Sequence, residues 1–130
     1  MGNLNVVEIK AFLPAKDFAL SKQFYQDLGF SIVWSSEEMA YLRCDKSSFL
    51  LNNYYDRAFA ENLMMHLQVE DVDAWWQRVT ERNLASQYGQ HWLQPQPPEV
   101  RPWGMKDFCI NDPSGVLWRI GQDVSCNSNS

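Results

Sequence analysis

The sequence predicts an α+β fold made of two copies of one strand–helix–strands module. Three observations carry this reading. At Asp17 and again at Asp71, an aspartate follows an apolar strand-like run and opens an amphipathic helix. Short alternating segments bounded by turn residues come after the first helix. The chain then closes on Asp112-Pro113-Ser114-Gly115, a turn between two apolar runs. One module is expected over about residues 5–53, the second over about 62–122, and a polar tail over 123–130.

Taken in order, the first strand is expected over residues 6–13, with Pro14 near its end. Asp17 caps a helix whose apolar positions Leu20, Phe24 and Leu28 recur at helical spacing, and Gly29 stops it. Strands at 30–34, 39–44 and 48–52 follow, around turns at 35–38 and 45–47. Residues 54–61 read as a linker. The pattern then restarts with a strand over 62–69 and a helix carrying Val72, Trp75, Trp76 and Val79 on one side. An irregular stretch over 88–102 holds four of the six prolines. Strands over 105–111 and 116–121 complete the second module. Open sheet faces of two such modules offer a cleft, where ligands prefer to bind.

At 130 residues the chain forms one domain able to bury a core without disulfide or metal staples. Its net charge of −5 and its scattered Lys and Arg argue against a nucleic-acid partner. Cys44, Cys109 and Cys126 show no regular spacing, so reduced thiols and a cytoplasmic location are expected. The opening residues have no basic stretch leading into an apolar one, no run is long enough to cross a bilayer, and no lipidation signal stands at Gly2. No membrane partner is expected. Six Trp, seven Phe and five Tyr are more than a core obviously needs, and Tyr54, Tyr55, Tyr88, Trp92 and Trp103 sit beside Gly, Pro or polar residues. Together they point to a stacking surface. No Ser-His-Asp or Cys-His spacing recurs, so nucleophilic catalysis has no support.

Three stretches carry a resemblance. Phe12-Leu13-Pro14-Ala15-Lys16-Asp17 with Phe24-Tyr25-Gln26-Asp27-Leu28-Gly29-Phe30 opens the first module, and His66-Leu67-Gln68-Val69-Glu70-Asp71-Val72-Asp73 opens the second. Pro102-Trp103-Gly104-Met105-Lys106-Asp107-Phe108 with Asn111-Asp112-Pro113-Ser114-Gly115 closes the chain. In this order they resemble the glyoxalase/bleomycin-resistance group of the vicinal-oxygen-chelate superfamily, and the closing stretch is most similar to its bleomycin-resistance branch. The resemblance implies two βαβββ modules in a curved, cleft-bearing sheet arrangement and, for that branch, a homodimer with ligand clefts at the interface.

Enzymes of the superfamily hold a divalent metal through His, Gln or Glu on the first strand of each module and on the last strand. Counting seven residues back from Asp17 and from Asp71 gives Lys10 and Met64, and seven forward from Asp112 gives Arg119. An ammonium and a guanidinium cannot ligate a cation, and a thioether is too soft for these metals. No metal or other cofactor is therefore expected. Strand parity puts Lys10 with Phe12, and Met64 with His66 and Gln68, on the cleft side. If the closing turn pairs Asn111 with Val116, Arg119 lies opposite Phe108, also in the cleft. Trp118 and Ile120 then turn to the helices, against Trp75 or Trp76.

The reading is a metal-free protein that sequesters an aromatic small molecule, with Trp103, Phe108, His66, Trp34, Trp92, Lys10 and Arg119 as ligand-binding residues. Trp103, between Pro102 and Gly104, is the leading stacking residue. His91 is expected to be solvated. Two alternatives stand beside it. One is a metal-dependent lyase, isomerase or dioxygenase of the same superfamily, with His66 as a ligand. The other is a binder of an anionic metabolite held by Lys10 and Arg119, unless these pair with acids such as Glu8 and Asp107.

Overall fold

The computed structural model describes residues 2–88 and 94–125. Strand β1 (Phe12–Pro14) leads into helix α1 (Phe18–Leu28), whose N-cap Asp17 accepts a 3.1 Å bond from the Leu20 N–H. Gly29 ends it at φ 133°, a conformation that costs a side-chain-bearing residue dearly. Strands β2 (Ser31–Ser35), β3 (Met39–Cys44) and β4 (Ser47–Asn52) follow. In the expected linker lies a short helix, α2 (Arg57–Asn62), capped by the Asp56 carboxylate. The second module opens with β5 (Met64–Gln68) and α3 (Val72–Glu81), capped by Asp71. It continues through α4 (Leu84–Tyr88), β6 (Glu99–Val100), β7 (Met105–Asn111) and β8 (Leu117–Asp123). Among the described residues no helix is long and apolar enough to cross a membrane.

The sheet orders are β1-β4-β3-β2 and β5-β8-β7-β6. In each sheet the first strand pairs parallel with the last, and the other pairings are antiparallel. The two modules thus share one topology, as the repeat predicts.

Two differences from the sequence reading have physical causes. The first strand is shorter than expected, because residues 2–11 carry no regular structure. Leu4, Val6, Val7 and Ile9 are almost fully exposed. Their apolar pattern meets no partner strand or core, and a strand needs both. The closing hairpin is also shifted by one residue. The Asp112 carboxylate accepts from the backbone N–H of Ser114 (2.8 Å) and of Val116 (2.9 Å), and this draws Val116 into the turn. Asn111 therefore pairs with Leu117, Cys109 with Arg119, and Phe108 with Ile120. A one-residue slip exchanges the faces of a strand. Phe108 turns away from the expected cleft and into the core, where the Trp76 ring meets it edge-on at 5.1 Å.

One core serves both modules. Tyr25 of α1 meets Phe24, Phe49 and Trp118 edge-to-face at 4.8–5.6 Å, and Trp118 also packs on Phe30 and Phe49. The Trp118 Nε1–H donates to the Tyr25 hydroxyl (2.9 Å), which donates in turn to Asp112 Oδ2 (2.5 Å). The Lys16 N–H donates to Ser114 Oγ, and Arg78 Nε donates to the Asp27 carbonyl. These bonds fix the two modules to each other.

Candidate functional site

The core-facing residues of the first sheet are Ala40, Leu42, Phe49 and Leu51, so alternation sends their neighbours to the opposite, open face. There the register aligns Phe12 with Leu50, Leu50 with Tyr41, and Tyr41 with Trp34. The result is one apolar row across all four strands, ended by the half-exposed Phe12 (50%) and Trp34 (47%). Cross-strand neighbours on one face stand close enough to act as one surface. The Lys10 ammonium lies 4.8 Å from the centre of the Tyr41 ring, and the Arg43 guanidinium 5.9 Å. Sequence reasoning named only Trp34 of this row as a ligand-binding residue, although strand parity had put Phe12 on the cleft side. Tyr41 and Leu50 belong to ordinary alternating strands, and only the register shows them as its neighbours.

The open face of the second sheet is more polar. His66 is exposed beside Arg119, which pairs across β8 with Cys109, while Met64 stands beside Leu117 and Gln68 beside Gly121. Gly121 allows a close approach. A side chain there would meet Asp107 Cβ and Met105 Cε at 3.1 Å and His66 Cε1 at 3.6 Å. Asp107, fully buried, accepts from Arg119 Nη1 (3.0 Å) and Arg101 Nε (2.9 Å). Burying a carboxylate is costly unless it is paired and hydrogen-bonded, and two guanidinium groups supply this.

Both candidate cations are therefore already paired. Arg119 is held by Asp107, and Lys10 stands 3.5 Å from Glu8. With Met64 they are the residues to which the position counts led. Lys10 and Arg119 carry fixed positive charge and Met64 a soft sulfur, so this donor set does not fit a divalent ion. Among the described residues no three His, Cys, Asp or Glu side chains converge to hold one.

Two cavities follow the seam between the modules. One, of about 540 Å³, lies between the turn holding Cys44, Asp45 and Lys46 and the segment from Leu67 to Asp71, with Trp75 beneath. The other, of about 450 Å³, has a floor of Phe30, Phe49 and Trp118 and a rim that includes Glu8, Ser48 and His66. His66 and the edge of the first open face thus border one space. Trp103 lies in the turn before β7 with 66% of its surface exposed, apart from both cavities. Trp92 and His91 lie outside the described residues.

Residues 5–120 match the model of the glyoxalase/bleomycin resistance protein/dioxygenase superfamily. No curated protein sequence matches the chain. Among solved structures, a bleomycin-binding protein complexed with bleomycin superposes with a TM-score of 0.74 at 21% identity, covering 90% of this chain and 98% of that one. An antibiotic-binding protein, TnmS3 from Streptomyces sp. CB03234, gives 0.72 at 20% identity, with coverage of 93% and 99%. A lactoylglutathione lyase from Agrobacterium tumefaciens gives 0.63 at 18% identity, covering 91% and 95%. At these identities the structures establish the shared fold, and binders and enzymes alike share it. With nearly its whole length matched by the family model and both modules in place, the chain belongs to the glyoxalase/bleomycin resistance protein/dioxygenase superfamily.

Proposed function

We propose that this protein is a bleomycin-resistance-like binder that sequesters an aromatic small molecule without a metal ion. The observation that carries the reading is the row Phe12–Leu50–Tyr41–Trp34, a flat apolar strip on an open sheet face with three aromatic rings in register. Such a strip offers stacking and area burial to a planar ligand and contains no group suited to covalent chemistry. The unsuitable donor set at Lys10, Met64 and Arg119 supports binding over lyase, isomerase or dioxygenase chemistry. His66 and Trp103 contribute from the second module. A homodimer, which brings open faces of two chains together, is part of the proposal and would protect the unpaired edges of β1 and β5.

The test is a titration of intrinsic tryptophan fluorescence with bleomycin and a panel of flat aromatic compounds. Removal of a stacking indole typically costs about 1–3 kcal/mol of binding, so Trp34→Ala should weaken a bound member of the panel by roughly 5- to 150-fold. Elemental analysis of protein purified without chelator should find no stoichiometric zinc, nickel, manganese or iron. Unchanged affinity in Trp34→Ala, or one equivalent of metal per chain, would overturn the reading.

A further inference from the structure

Glu8 is held in a way that its neighbours in sequence are not. Its carboxylate accepts from the Ser48 hydroxyl (2.5 Å), the Tyr41 hydroxyl (3.0 Å) and Arg43 Nη2 (3.1 Å), with the Lys10 ammonium at 3.5 Å. Around it, Leu4, Val6, Val7 and Ile9 are almost wholly exposed, so this carboxylate anchors the segment together with the Lys10 ammonium over the Tyr41 ring and the Ala11 carbonyl, which accepts from the Leu50 N–H. Tyr41 and Arg43 lie on β3 and Ser48 on β4, with Arg43 and Ser48 paired directly in the sheet. These three donors belong to the rigid sheet, and the group they hold arrives on a peptide with no regular structure. The cradle would keep its shape if Glu8 left, and three donors beside an apolar strip would then be open to another anion.

Tyr41 belongs to both constructions. Its ring is part of the apolar row, and its hydroxyl is part of the carboxylate cradle. Leu50, in the row, and Ser48, in the cradle, are two residues apart on β4, a span of about 7 Å along a strand. That is the reach of a fused two-ring aromatic bearing a carboxylate. We infer that Tyr41, Arg43 and Ser48 form the carboxylate-binding end of the aromatic site, and that Glu8 occupies it as a built-in competitor displaced by an aromatic carboxylic acid. This inference rests on the proposed aromatic-binding role of the same sheet face and names the class of ligand it prefers.

A site filled by an internal group for most of the time loses apparent affinity in proportion to the fraction left open. The competitor acts at the high effective concentration of a tethered group. Calorimetric titrations with 2-naphthoate and with its neutral counterpart 2-naphthamide separate the contributions. Glu8→Ala should tighten 2-naphthoate by about tenfold and leave 2-naphthamide within about twofold, as occupancy of roughly nine-tenths by Glu8 implies. Adding Arg43→Met should cancel that gain. Glu8 lies outside the core, and unchanged melting temperatures verify that the variants fold. Equal tightening of both probes would reduce Glu8 to a steric cover and overturn the carboxylate site. Binding of 2-naphthamide with no effect of Glu8→Ala on 2-naphthoate would overturn this inference alone, leaving the aromatic-binding role standing. Failure of both probes to bind any variant would overturn both.

Discussion

The bond chain from Trp118 through Tyr25 to Asp112 allows a quantitative test, because one oxygen atom serves two buried partners. Replacing Tyr25 by Phe keeps the ring and its contacts with Phe24, Phe49 and Trp118. It removes the acceptor of the Trp118 Nε1–H and the donor to Asp112 Oδ2, and all three residues are at most 2% exposed. A buried donor left unsatisfied costs about 1–3 kcal/mol, and a hydrogen bond to a charged group is worth about 1.5–3 kcal/mol, so the loss should be about 3–5 kcal/mol near neutral pH. Burial pushes the Asp112 carboxyl up to about 6, against the pull of its hydrogen bonds from Tyr25 and the backbone. An acid whose pKa is raised by folding binds its proton more tightly in the native state. Its contribution is therefore greatest below the unfolded value of 3.8 and is lost as pH rises through about 6. The shift corresponds to roughly 3 kcal/mol between those limits. Without the Tyr25 hydroxyl the native pKa should climb further, so Tyr25→Phe should cost about 1–2 kcal/mol less at about pH 5, where Asp112 is largely protonated, than at about pH 7.5. Urea denaturation followed by tryptophan fluorescence at the two pH values measures both numbers. A loss below about 1 kcal/mol, or the same loss at both pH values, would refute the argument that this carboxylate is buried at a cost and held by Tyr25.

Three further predictions follow from the placements above. Phe108→Ala should destabilise the fold by about 3–5 kcal/mol in urea, as a core truncation, with the folded fraction binding normally; a binding defect without loss of stability would return Phe108 to the ligand face. Trp103→Ala should leave the melting temperature nearly unchanged, because the indole is largely exposed, and should weaken an identified aromatic ligand by about 1–3 kcal/mol. If the variant melts early and binds normally, Trp103 anchors the turn and does not stack on ligand. Light scattering at micromolar concentration should give twice the chain mass of 15.2 kDa, and a strictly monomeric mass would exclude the dimer.

The sequence by itself determined the module repeat, because the signals behind it are local. Asp17 and Asp71 cap helices through bonds to backbone three residues away, and Gly29 stops α1 by a backbone conformation. The same kind of signal stood at Asp56, where a carboxylate followed by Arg57, Ala58 and Phe59 opens a helix within the stretch read as a linker. The family resemblance was likewise legible, and the position counts based on it led to Lys10, Met64 and Arg119. That Lys10 and Arg119 pair with Glu8 and Asp107 was open in the sequence, and the structure decided it.

Tertiary structure alone decided which residues share a face. The closing register goes with the turn at Asp112, whose carboxylate takes the Ser114 and Val116 N–H groups and whose own N–H donates to the Val116 carbonyl, and in that register Phe108 lies in the core and not in the expected cleft. Residues 6–11, read as most of the first strand, are not one, because pairing depends on a neighbour that sequence pattern cannot supply. The row Phe12–Leu50–Tyr41–Trp34 draws on four strands, and so does not exist until the sheet aligns them. Caps and turns depend on atoms a few bonds apart along the chain. Faces and registers depend on pairings between distant segments, where a shift of one residue reverses the outcome.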